Sequence, residues 1–150
     1  MGIDAFWMKH AFKLAKQAQN QGEVPVGAVL VNDDNTLLSE GWNQVLQNHD
    51  PTAHADIVAL RHDAKKLGNY RLLSTTLYVT LEPCCMCAGA LVQSRIKRLV
   101  FAARDVKAGA AGSIYNLLNG LLLNHKIQID EGHLQAECAE LLTDFFKERR

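Results

Sequence analysis

The 150-residue chain sets 16 Lys and Arg against 16 Asp and Glu, and 48% of its residues are apolar against 21% charged. That balance describes a folded globular domain able to close a core, and it excludes both a disordered chain and a polycation that binds nucleic acid through bulk charge. No apolar run reaches the ~20 residues of a bilayer span, and the opening MGIDAFWMKHAFKLAKQ lacks the apolar core and small-residue cleavage site of a secretory signal. A cytoplasmic protein of one domain over residues 1–150 is therefore expected.

In chain order, Asp4 is placed to cap a first helix. Its apolar residues Trp7, Met8, Ala11, Phe12, Leu14, Ala15 and Ala18 recur at helical spacing, and Gly22 ends it. Strands are expected at residues 26–31 and 36–42, joined by the turn-forming run Asn32-Asp33-Asp34-Asn35. After a loop over residues 43–51, a helix over 52–67 takes Thr52 as its cap. Residues 76–81 read as a buried strand, Pro83 precedes a helix over 84–93, and RLVFAA (98–103) is another strand. A Gly/Ala-rich loop over 107–113 leads to a short helix near 114–118. An edge strand over 126–130 and an amphipathic helix over 134–147 complete the chain. Strands alternating with helices predict an α/β fold with helices on the faces of one sheet.

The chemistry concentrates in three residues. Cys84 and Cys87 stand at i and i+3, so on a helix both thiols leave one face. They sit at a helix start, where free N–H groups and the helix dipole favour the thiolate. His54 falls in the first turn of another predicted helix. Imidazole with soft sulfur selects zinc, and three ligands without a fourth leave the open position of a catalytic site. Two thiolates neutralise the ion's formal charge, and two helix N-termini aimed at the same point compensate for it. From the Cys pair alone, a thioredoxin-like redox pair weighs equally. Cys85 and Cys138 are expected in the core. His49 reads as a turn or pocket residue, and His10, His62 and His133 lie on exposed faces.

The string PTAHAD (51–56) with PCCMC (83–87) resembles the zinc nucleobase deaminase signature H-x-E…P-C-x-x-C. VPVGAVLV (24–31), EGWN (40–43), NYRL (69–72), TLYVTLEPC (76–84), MCAGAL (86–91), ARDVKAGAAGS (103–113) and LLTDFF (141–146) extend the resemblance over nearly the whole chain, to the bacterial tRNA-specific adenosine deaminases. That resemblance implies the cytidine-deaminase-like fold, a mixed five-stranded sheet between helical layers, usually in a homodimer. It implies one zinc ion per subunit held by His54, Cys84 and Cys87, and conversion of adenosine to inosine at the wobble position. The partner is then a tRNA anticodon stem-loop, in which Asn43 contacts the flipped nucleoside. Arg104, Asp105 and Lys107, with Phe146, Arg149 and Arg150, fall in RNA-contacting segments. By itself the sequence makes Arg149 and Arg150 only a solvated helix end.

One departure matters. The family pattern has Glu two residues after the zinc histidine, and this chain has Asp56. Both are carboxylates of similar intrinsic proton affinity, but Asp is one methylene shorter. Reduced turnover as the acid–base group is expected. Two alternatives stand beside this reading: a deaminase of a free base or nucleotide, and a zinc-loaded RNA-binding form with impaired catalysis.

Overall fold

The computed structural model describes residues 2–119 and 125–149. Its elements run α1 (Ile3–Asn20), β1 (Gly27–Asn32), β2 (Leu37–Trp42), α2 (Val45–Asn48), α3 (Ala55–Leu67), β3 (Thr75–Leu81), α4 (Cys85–Ser94), β4 (Arg98–Ala103), β5 (Gln128–Glu131) and α5 (Gln135–Glu148). The strands form one mixed sheet in the order β2-β1-β3-β4-β5. β1 pairs antiparallel with β2 and β3, whereas β3–β4 and β4–β5 are parallel. The parallel β3–β4 step needs a crossover, and α4 supplies it. This is the mixed five-stranded α/β architecture expected.

The central strands are apolar at nearly every position because both faces of the sheet are covered. Trp7, Met8, Ala11 and Leu14 of α1 and Cys138 of α5 pack on Val29, Val31, Tyr78 and Val100. On the other face, Ala55 and Ala59 of α3 and Ala88 and Leu91 of α4 meet Leu30, Leu77, Val79 and Phe101. Two helices ride close on the sheet because glycine lies beneath them. A Cβ on Gly27 would come 2.1 Å from the Ala11 carbonyl of α1, and one on Gly41 would come 2.3 Å from the Ala55 carbonyl of α3.

Several local expectations are corrected. Gly2, not Asp4, occupies the N-cap of α1. The Asp4 carboxylate instead accepts the Arg98 guanidinium (2.8 and 2.7 Å) and the Tyr78 hydroxyl (2.7 Å), a stronger set of donors than free helix amides. Thr52 caps nothing: α3 starts at Ala55 with His54 at the N-cap, and the Ala55 N–H is capped by Asn43 Oδ1 at 2.8 Å. The loop after β2 contains the short helix α2. Residues 114–118 are not helical, because Gly112 at φ +132° turns the chain and Ala111 bridges Asn116 antiparallel. Cys85 is exposed rather than core, whereas Cys138 is buried as expected. No helix among the described residues is long and apolar enough to cross a membrane.

Candidate active site

The sheet brings two helix N-termini to one point. β3 ends at Leu81, and three residues later Cys84 takes the N-cap of α4 with Cys87 in its first turn. His54 takes the N-cap of α3. Neither N-cap side chain makes a cap hydrogen bond, and both turn to the same point as Cys87. His54 Nδ1 lies 3.7 Å from Cys84 Sγ and 3.4 Å from Cys87 Sγ. The three donor atoms lie within 4.8 Å of one another. A tetrahedral zinc ion with Zn–S of about 2.3 Å and Zn–N of about 2.05 Å separates imidazole nitrogen from sulfur by about 3.5 Å. The observed spacings straddle that value, and the donor chemistry fits zinc.

The three donors are also coupled to one another through hydrogen bonds. The Cys84 thiol is pulled down to about 3 by a hydrogen bond from Cys87 and then by one from His54. The Cys87 thiol is driven far above its ordinary range by its bond to Cys84 and by burial. His54 is raised, chiefly by its bond to Cys84. A cluster that already holds one thiolate next to imidazole is prepared to exchange its remaining protons for a cation.

Asp56 sits in the first turn of α3, only 4% exposed. Burial pushes its carboxyl up to about 6. Its Oδ2 is buried with no hydrogen-bond partner among the described residues. An orphaned carboxylate oxygen costs stability unless something else occupies its position, which marks a site for a reacting or bound group.

A cavity of about 890 Å³ opens over this cluster and is lined by His54, Asp56, Cys84 and Cys87. Asn43 also lines it, with its Oδ1 taken by the Ala55 N–H and its amide N–H groups left as donors. Arg104, Asp105, Lys107, Phe146 and Arg149 belong to the same wall. The structure thus gathers every expected site residue except Arg150, which lies outside the described residues. Not all of them are unengaged. Arg104 grips Glu131 in a forked pair (2.9 and 2.8 Å), and Asp105 Oδ1 accepts the N–H groups of Lys107 and Ala108 (both 3.1 Å). The Arg149 guanidinium lies 3.7 Å from the centre of the Phe145 ring, while Phe146 remains 48% exposed.

Two site residues escape sequence reasoning. Glu23 and Glu82 are each 2% exposed and line the cavity. Glu23 accepts the N–H groups of Leu46 and Gln47 at 3.1 and 2.9 Å, and so caps α2 from outside. A carboxylate paired only with backbone amides leaves no spacing pattern in a sequence; the lone hint is an acidic residue flanked by apolar ones.

Sulfur and imidazole donors at two helix ends, a buried carboxylate two residues after the histidine and this mixed sheet define a zinc-dependent deaminase. The family profile for the cytidine and deoxycytidylate deaminase zinc-binding region matches residues 1–103. The chain is 52% identical to the tRNA-specific adenosine deaminase of Haemophilus influenzae, over 99% of this chain and 86% of that one. It is 44% identical to that of Bacillus subtilis, over 100% and 92%. It belongs to the family of tRNA-specific adenosine deaminases. Among solved structures, one from work on A-to-I editing by tRNA:A34 deaminases at the wobble position superposes with a TM-score of 0.87 at 39% identity, covering 91% of this chain and 99% of that one. A guanine deaminase from Nitrosomonas europaea superposes with a TM-score of 0.82 at 27% identity, covering 94% and 83%.

Proposed function

We propose that this chain, one deaminase domain over residues 1–150, hydrolyses adenosine to inosine at the wobble position of a tRNA anticodon, as a cytoplasmic homodimer. The observation that carries the chemistry is the three-donor cluster at tetrahedral spacing, with the unpartnered Asp56 Oδ2 beside it. Relatives named for this reaction, similar over the full chain, support the substrate. The dimer rests on the family resemblance, and the exposed apolar side chains Tyr70, Leu73, Met86, Ile114 and Tyr115 are available to such an interface.

Zinc held by His54, Cys84 and Cys87 supplies a Lewis acid that makes water nucleophilic at neutral pH. The residues of the chain do the rest. Asp56 takes the proton that water loses as its oxygen adds to C6 of adenine. It delivers that proton to N1, then takes the second proton from the hydroxyl on C6 as that oxygen becomes the carbonyl, and passes it to the amine, which leaves as ammonia. The buried setting that raises its carboxyl to about 6 suits a group that must both accept and return a proton. Asn43 donates its amide N–H to the nucleoside while its oxygen holds the start of α3. Arg104, Lys107, Phe146 and the segment ending in Arg149 and Arg150 hold the flanking nucleotides. The target base must leave its stack to reach the cluster, which costs least in an anticodon loop.

The Asp56 side chain limits the rate, because it ends one methylene short of the family's Glu. The test is inosine formation in an anticodon stem-loop by the zinc-loaded protein, beside ammonia release from free guanine, cytosine and adenine. Inosine in the stem-loop alone supports the proposal. Ammonia from a free base without inosine assigns the chain to free-base deamination instead.

A further inference from the structure

Glu82 connects β3 to the Pro83-Cys84 step, and the proton transfers above make no use of it. It forms no ion pair among the described residues, despite being 2% exposed. Both of its oxygens are nonetheless saturated by one segment. Oε1 accepts the Asp105 N–H at 3.0 Å and the Ser113 hydroxyl. Oε2 accepts the N–H groups of Ala111 at 2.9 Å and Ser113 at 3.1 Å. The main chain joins the same two stretches, from Glu82 N–H to the Ala103 carbonyl and from Ala110 N–H to the Pro83 carbonyl, both 2.8 Å. Gly109 lies flat on the carboxylate, where a Cβ would come 2.3 to 2.5 Å from its carbon and oxygens.

Residues 105–113 therefore wrap around one anionic side chain. That segment carries Asp105, Val106 and Lys107 of the cavity wall. Val106 is 73% exposed, so the cavity-facing stretch 105–107 has little apolar anchoring of its own, while Ala110 and Ala111 further along are buried in the core. The wall's shape is set by four hydrogen bonds to a residue two positions from a zinc donor. A charged acceptor makes such bonds stronger than neutral ones, and a buried acceptor that loses its charge leaves amides orphaned.

We infer that Glu82 is a positioning residue: it fixes the 105–113 wall in register with Cys84, so that RNA is held correctly over the cluster although Glu82 touches neither metal nor base. This rests on the proposed RNA substrate. Glu82→Gln tests it, because an amide keeps one acceptor oxygen and turns its NH2 towards backbone N–H groups in either orientation.

The expected result is a KM for the anticodon stem-loop raised about 10-fold, with kcat changed less than about 3-fold and zinc still at one per chain. Amide exchange should quicken by about 10-fold at Asp105, Ala111 and Ser113 only, with α3 and α4 unchanged. Ser113→Ala removes the hydroxyl donor to Oε1 while leaving the main-chain N–H at 113 and the carboxylate in place, and serves if Glu82→Gln does not fold; its KM should rise about 3-fold. An unchanged KM in the folded variants of a wild type that makes inosine overturns the inference, as does loss of zinc or exchange quickening throughout the protein. If the wild type makes no inosine, the RNA reading fails, and exchange alone decides: quickening confined to 105–113 supports the positioning role, and none refutes it.

Discussion

Lengthening Asp56 by one methylene probes how the acid–base group is placed. Asp56→Glu moves the carboxylate about 1 Å further from the α3 backbone, and misplacement of that order changes rates by about 10²-fold. General acid–base catalysis as a whole is worth roughly 10²–10⁴, so restoring the reach should recover a large part of it. Asp56 borders the cavity, so the longer side chain has that direction in which to extend. The expected gain is at least about 30-fold in single-turnover deamination of an anticodon stem-loop, or ~2 kcal/mol of barrier. Zinc content should stay the same, since the carboxylate is not among the three donors. Asp56→Asn should bring the reaction close to background while also keeping its zinc. Single-turnover assays with enzyme in excess isolate the chemical step from product release. Equal rates for Asp56 and Glu at this position would refute the reasoning, because reach would then not limit proton transfer.

Other perturbations bear on the scaffold. Gly41→Ala places a methyl 2.3 Å from the Ala55 carbonyl and 2.6 Å from the Ala59 amide, so α3 must move off the sheet. Urea unfolding should show a loss of about 1–3 kcal/mol, and competition with a chelator should show weakened zinc binding, since His54 begins that helix. Arg98→Met takes the guanidinium away from Asp4 and Asp130, leaving Asp4 the Tyr78 hydroxyl and Asp130 the Gln128 amide, and should cost ~2 kcal/mol in the same unfolding assay. Hydrogen bonding to Arg98 holds the Asp4 carboxyl below its ordinary value of 3.8, so its stabilisation is complete above that pH and is lost as pH falls through the lower folded value. Arg98→Met should flatten that acid limb in unfolding measured as a function of pH. Removing zinc should lower Tm by roughly 5–10 °C, because an ion bound only to the folded state at 100 times its Kd contributes about 2.7 kcal/mol. An unchanged melting curve after chelation would contradict this.

What the sequence discloses follows from where the determining contacts lie. The α1 face, the central strands and the Cys84-x-x-Cys87 pair are local patterns, and each reappears in the structure. Contacts between segments distant in sequence are not legible that way. Thr52 has the chemistry of a cap, yet Asn43 reaches Ala55 from twelve residues upstream because β2 delivers it there. Asp4 looks like a helix cap until Arg98 arrives from β4. The apolar run after Ser113 has helical composition, but Gly112 and the pairing of Ala111 with Asn116 hold it in a turn. Cys85 reads as a small core residue, and only the direction in which α4 faces the cluster leaves it exposed. Glu23 and Glu82 are the clearest case, since their partners are main-chain amides of unremarkable residues and, for Glu82, one serine hydroxyl.

X-ray absorption at the zinc edge of the purified protein tests the centre most directly. One zinc per chain with one nitrogen and two sulfur neighbours, plus one exchangeable light scatterer, is the result expected from His54, Cys84 and Cys87. A third sulfur, as from Cys85, or a preparation that retains no zinc after reconstitution would contradict the account.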